Sequence, residues 1–244
     1  MCTVIIRVPE HAPEPVRLLA VRDEDPGRAW NRLGPWWPDA YPGVIGIRDA
    51  RAGGAWLAAD PAVRRLAVLL NRADLSDRAD EQVQTRGSVA LESVAGRAPA
   101  GHPPMRGFNL VEVTAHTARV VSWDGVSVST TDLPPGTHMV AHDDVDDADT
   151  ARIAQWLPEF REAAEAAGSQ EGWWTPWLAV VERSAQLPGT AEAAIIRRQS
   201  FEGIPSYSLL LAVATVGEDG LDVRDAPLAE PGQWPPVDLA PDAG

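Results

Sequence analysis

Two stretches near the start of the chain, "CTVIIRV" (residues 2–8) and "VRLLAVRDE" (residues 16–24), decide how the rest is read. Both are β-branched or aliphatic runs, and the proline-rich "HAPEP" between them is a turn. A hairpin centred near Ala12 pairs residues whose numbers sum to about 24, which sets Cys2 opposite Arg22, with Asp23 and Glu24 beside it. Directly opposed side chains have Cβ atoms about 5 Å apart, so the guanidinium reaches the thiol. A slip of one residue would reverse the faces.

Working outward, "GVIGIRD" (43–49), "GAWLAAD" (54–60) and "VRRLAVLLN" (63–71) read as strands. Residues 73–86 read as a polar loop and "GSVALESVA" (87–95) as a short helix. Past the "PAGHPP" break come the strands "FNLVEVTA" (108–115), "ARVVSWDG" (118–125) and "VSVSTTD" (126–132), and "DLPPGTHMVA" turns into another. The acidic "DDVDDAD" caps a helix over 150–168, in which Pro158 predicts a kink or a division in two. "WWTPWLAVVERSA" (173–185) is a second long helix, and "AEAAIIRRQSF", "SYSLLLAVATV" and "GLDVRDA" return to strands. Runs of adjacent strands around a helical block predict an α+β fold with antiparallel sheets. The whole of 1–244 reads as a single domain, with a folded body over 1–226 and an irregular Pro- and Asp-rich tail over 227–244.

Composition narrows the function classes. With 45% hydrophobic residues, 244 residues suffice to bury a sizeable core. The 21 basic residues are all arginine and face 35 acidic ones, a net charge of -14 that repels phosphate backbones and anionic lipid. A single cysteine excludes an internal disulfide and a multi-cysteine zinc site, and it suits a reducing cytoplasm. No stretch approaches the roughly 18 apolar residues of a membrane span. The expected location is cytoplasmic, with no nucleic-acid partner and no membrane insertion.

A cysteine at position 2 has a chemical meaning of its own. Removal of Met1, expected before a small residue, leaves Cys2 carrying a thiol and a free α-amine of pKa about 7.7–8.0. That amine serves as the base for its own side chain, and a neighbouring guanidinium favours the thiolate. The same residue also fits a small apolar side chain at a strand start, beside a solvated Arg-Asp-Glu turn.

The segments "MCTVII", "LLAVRDEDPGR", "GGAWLAAD", "LAVLLNR", "RGFNLV" and "LPPGTHMV" occur in this order, and through them the chain resembles the transport and Golgi organisation protein 2 family, also called the NRDE family. The likeness spans roughly residues 1–142. It implies the four-layer αββα sandwich of N-terminal nucleophile hydrolases, in which an N-terminal cysteine attacks an amide assisted by Arg and Asp on the second strand. By that likeness Cys2 is the nucleophile, Arg22 and Asp23 support it, and Asn71 at a strand end helps to stabilise the oxyanion. Two positions depart from the family pattern. Val21 replaces the asparagine of the namesake motif, and Ala141-His142 stand where related hydrolases place an oxyanion-binding asparagine. His142 is the candidate replacement, and Asn109 a further donor unless its side chain satisfies a backbone turn.

Other constellations carry less. His138 and His142 with the adjoining acids lack a third clear metal ligand, so neither metal nor cofactor is called for. Haem ligation by these histidines is chemically allowed. Gly54 reads as part of a tight turn into a strand, and the family resemblance implies that this turn lies near the pocket and offers backbone donors there. Trp36 and Trp37 offer an apolar wall for an acyl chain or flat ligand, or simply core packing. Two functions remain: hydrolysis or transfer of an acyl group at a C–N amide or thioester bond, or carriage of haem or an acyl-coenzyme A-like ligand in the same cleft. A small-molecule acyl amide, thioester or haem-like ligand is the expected partner.

Overall fold

A computed structural model describes the chain apart from residues 1, 12, 98–100, 167–171, 202, 236, 238 and 240–244. The strands are β1 (Thr3–Val8), β2 (Val16–Glu24), β3 (Trp30–Gly34), β4 (Ile45–Asp49), β5 (Ala55–Asp60), β6 (Arg65–Asn71), β7 (Phe108–Val113), β8 (Ala118–Trp123), β9 (Val128–Asp132), β10 (Gly136–Val140), β11 (Arg198–Phe201), β12 (Ile204–Gly217) and β13 (Gly220–Pro227). The helices are α1 (Val89–Val94), α2 (Ala151–Ala166) and α3 (Thr175–Ser184).

The hairpin of β1 and β2 forms in the expected register, Thr3 opposite Val21 through Arg7 opposite Arg17, every pair summing to 24. It lies in the first sheet, ordered β10-β1-β2-β12-β11, with β13 also on β12. The second sheet is a seven-strand meander, β3 through β9. All named strand pairs are antiparallel.

Strand alternation sorts side chains into layers. Val4, Ile6, Leu18, Ala20, Leu210 and Ala212 face Leu57, Leu66, Val68, Val111 and Val120 of the other sheet, forming the inter-sheet core. On the opposite face, Ile5, Leu19, Val21, Leu211 and Val213 pack against Ile153, Trp156, Phe160, Trp177 and Val181 of α2 and α3. The outer face of the second sheet takes α1 through Val89, Ala90 and Val94. The result is the α+β sandwich, two antiparallel sheets between helices.

Four details differ from the sequence reading. Pro158 does not divide the segment into two helices, because α2 runs through it. Ile153, Trp156, Leu157, Phe160 and Ala164 bury one stripe on both sides of the proline. Together they outweigh the roughly 3 kcal/mol that an interior proline costs, Ile153, Leu157 and Phe160 alone contributing about 1.5–3 kcal/mol each. β3 was not anticipated. The strand expected over 191–201 is limited to β11, since Ile195 and Arg197 donate their backbone N–H to the Ser184 and Ser208 hydroxyls instead. Within the C-terminal stretch, Leu228 and Leu239 are buried in the helix-side core, with Trp234 and Val237 packed on it.

Candidate active site

Cys2 lies one step before the Thr3–Val21 pair, so the register carries it opposite Arg22. Both share the even-numbered, inter-sheet face, and both line a small cleft of about 160 Å³ at that end of the sandwich. Asn71, at the end of β6, lines it too, as do Glu24, Arg28, Asp49, Trp56 and Arg86. The thiol is 6% exposed and sits 3.7 Å from the Asp23 carbonyl oxygen. Burial pushes the Cys2 thiol above its ordinary value, against the lowering pull of positive charge that includes Arg22.

Arg22 is 2% exposed. Burial draws its guanidinium below the usual arginine value, while Glu24 and Cys2 pull it back up. Its Nη2 is 3.6 Å from Glu24 Oε2, and its guanidinium carbon lies 5.9 Å from the centre of the Trp30 ring. Its Nη1 is fully buried and has no hydrogen-bond partner. An unmatched charged donor costs more than the ~1–3 kcal/mol of a neutral one. Arg22 also lines the cleft, so its positive charge bears on an anion held there.

Asp23, the next residue, takes the opposite face. Its Oδ1 accepts the Ser208 hydroxyl at 2.6 Å, and that hydroxyl accepts the Arg197 backbone N–H at 2.8 Å. A β-bulge on β12 makes this possible. Ser208 is opposite Asp23 and Leu210 opposite Arg22, so Leu209 is the extra residue. Arg152 of α2 lies below, 1% exposed, donating from Nη1 to Thr3 Oγ1 at 2.8 Å. Burial lowers its guanidinium to about 10, opposed by Asp23, and it stays a cation at neutral pH. Asp23 thus belongs to the cleft lining while its carboxylate is engaged by Ser208.

His142 belongs to this underside. Burial lowers its imidazole pKa, opposed by Asp143, which it meets at 3.1 Å, and reinforced by Arg152 and Arg197. Its Nδ1 is buried without a hydrogen-bond partner among the described residues, and it does not line the cleft. His138 is farther along β10 with both ring nitrogens engaged, Nδ1 at 2.8 Å from Asp146 and Nε2 at 2.9 Å from the Pro134 carbonyl. Burial disfavours its charge, but those two bonds outweigh it and hold the pKa above the ordinary value.

The remaining sequence candidates lie outside the cleft. Asn109 is fully buried, donating to the Ala141 and Asp143 carbonyls at 3.2 and 2.8 Å and accepting from Ser122 at 2.7 Å. It ties β7 to the turn after β10. Trp36 donates to the Arg32 carbonyl, and Trp37 to that of Gly53 while packing on the α1 layer. The apolar side of the cleft comes instead from Trp56 and Leu69. Gly54 is one residue outside the lining and has a packing role: a Cβ there would come 2.2 Å from the Gly87 Cα. Among the described residues no three His, Cys, Asp or Glu side chains converge to hold a metal ion.

Arg86 is the residue that sequence reasoning missed. It sits in a stretch that reads as polar loop and is brought to the cleft by the Gly54–Gly87 contact. Its Nη1 donates to the Gly107 carbonyl at 2.7 Å, and burial lowers its guanidinium pKa while Cys2 and Glu24 raise it. Arg28 and Asp49 form a closed pair, Nε to Oδ2 at 2.7 Å. Burial would raise the Asp49 carboxyl, but Arg28 and the Ala52 and Arg51 N–H groups hold it below its usual value. Arg28 was visible within "DPGR", and nothing in the sequence singled it out.

No helix among the described residues is long and apolar enough to cross a membrane. A comparison with curated proteins finds no match. The family model described as Transport and Golgi organisation 2 matches residues 1–200, and with the Cys2–Arg22 hairpin at the head of that region the chain belongs to this family.

Proposed function

We propose that the protein hydrolyses or transfers a small acyl group at a C–N amide or thioester bond, with Cys2 as nucleophile. The observation that carries this reading is that Arg22 faces Cys2 across the hairpin on the same cleft, its buried Nη1 without a hydrogen-bond partner among the described residues. A donor without an acceptor in the resting protein is matched when a thiolate or a carbonyl oxyanion develops beside it.

The raised thiol pKa means that Cys2 needs a base. With Met1 removed, its α-amine takes the Sγ proton, and Sγ bonds to the acyl carbon. The tetrahedral oxyanion is stabilised by Arg22 and by the Asn71 amide at the rim. It collapses as the C–N or C–S bond breaks, the leaving group taking the proton held by the amine. Water then attacks the acyl-enzyme thioester, losing its proton to the same amine, and the thiol is restored. Asp23, Ser208 and Arg152 hold the first residues in place from beneath.

Size favours this chemistry over carriage. Pockets that enclose drug-sized ligands run to about 300–1,000 Å³, whereas the Cys2 cleft offers about 160 Å³. The larger cavity, about 680 Å³, is lined by Val8 and Pro9 at the far end of β1.

The test is turnover of a panel of short acyl amides and thioesters by protein whose N-terminal residue has been established by intact-mass measurement. Cys2→Ala is expected to lower kcat by about 10³-fold or more, and Arg22→Gln by about 10²–10³-fold. Activity is expected to rise with pH through the amine pKa, about 7.7–8.0. Retention of Met1 in active protein, or unchanged turnover in Cys2→Ala, removes the mechanism.

A further inference from the structure

We infer that the Cys2 cleft selects substrates bearing a carboxylate within a few bonds of the scissile acyl group, and that Arg86 is the specificity residue that binds it. The inference deepens the acyl-transfer reading and rests on it.

Charge accounting within the cleft singles out Arg86. Three arginines, Arg22, Arg28 and Arg86, line it with Asp23, Glu24 and Asp49, and the Asp23 carboxylate already accepts from the Ser208 hydroxyl. Arg28 is closed onto Asp49 and lies 3.9 Å from Glu24, and Arg22 is 3.6 Å from Glu24. Arg86 has no carboxylate within ion-pair distance among the described residues; its single hydrogen bond goes to a neutral carbonyl. The chain has 35 acidic residues for 21 arginines, so this cation does not lack a partner through scarcity of acids.

Its place is also fixed. Gly54 and Gly87 meet backbone to backbone, with no room for a Cβ on Gly54. The segment carrying Arg86 is thereby seated against the start of β5, where Arg86 lines the same cleft as Cys2. A planar guanidinium held this way matches a carboxylate's two oxygens. Arg22, with its free Nη1, remains for the oxyanion. With about 160 Å³ available, a short acidic group fits and a bulky phosphorylated one does not.

The test compares glutarate with its uncharged diamide, glutaramide, by calorimetric titration into full-length Cys2→Ser protein, with and without Arg86→Gln. Glutarate is expected to bind at least about tenfold more tightly than glutaramide, and Arg86→Gln to erase the difference. Arg86→Lys, which keeps the charge, is expected to retain part of the preference and decides the matter if the glutamine variant does not fold. Equal binding of the two probes, or a preference that survives in Arg86→Gln, overturns the inference. The two readings fail separately. Glutarate selectivity without turnover of any acyl compound keeps the carboxylate site and removes acyl transfer. Turnover of neutral and acidic amides at equal kcat/KM does the reverse.

Discussion

Cys2 is buried yet borders a cleft, and its thiol is harder to ionise than an ordinary cysteine because the surrounding sheet excludes water. In protein that still carries Met1, iodoacetamide alkylation is therefore expected to keep rising with pH past the ordinary thiol value of 9.0. A rate plateau below pH 8 would contradict that assignment. The pairing with Arg22 was legible from the hairpin count, because a period-two element leaves only two faces to choose between. The separation of Asp23 from the thiol follows from the same alternation. Arg86 was not legible, since its approach depends on two glycines 33 positions apart touching face to face. Gly54→Ala tests that contact: overpacking against backbone is expected to cost about 1–3 kcal/mol, lowering Tm by about 2–4 °C per kcal/mol in a chain of this size.

At the scale of elements, β10, the strand preceding the acidic turn, is held by an ion pair. His138 on β10 meets Asp146, which also accepts the Met139 N–H at 2.8 Å and faces Arg161 at 3.2 Å. The folded pKa of His138 is raised, so its contribution is fully present below the unfolded value near 6.5 and is lost as pH rises through the folded value. The folded pKa of Asp146 is depressed: burial opposes this, and His138 and the Met139 N–H overcome it. Its share is thus lost as pH falls through that value. His138→Gln is expected to flatten the decline of Tm with pH above about 6.5, a trend readable by thermal melts in matched buffers. An unchanged decline in the variant would place the titrating group elsewhere. Within "DDVDDAD", Asp143 and Asp147 accept from the buried Thr150 hydroxyl just before α2, at 3.2 and 3.0 Å. Most strands were readable because their apolar runs are bounded by Gly, Pro or Asp. The short β3 was not, since a half-exposed "WNRLG" has no pattern until β4 lies beside it.

For the whole molecule, three apolar layers sit between and outside the two sheets. Their existence was legible in the number and spacing of apolar runs, whereas the layer each tryptophan joins was not. Trp36 and Trp37 follow Arg22 closely in sequence, yet the turn after β3 carries them away from the cleft, and Trp56 on the adjacent β5 supplies the apolar lining. The C-terminal stretch matters to the helix-side layer. Leu239 is 4% exposed, and its carbonyl accepts from Arg224 at 3.2 Å. Leu239→Ala is expected to destabilise by about 2–5 kcal/mol, visible as a lower urea midpoint with little change in slope. A midpoint within error of the parent would show that this end of the chain is not part of the core.

The extra residue on β12 works as a parity switch. On its N-terminal side even-numbered positions look toward the helices, and on its C-terminal side they look toward the opposite sheet. Deleting Leu209 alone would bring the strand back to simple alternation. Ser208 would then still face Asp23 and Leu210 the opposite sheet. Straightening the strand with Leu209 kept would instead either rotate Ser208 away from Asp23 or turn Leu210 and every apolar neighbour beyond it inside out.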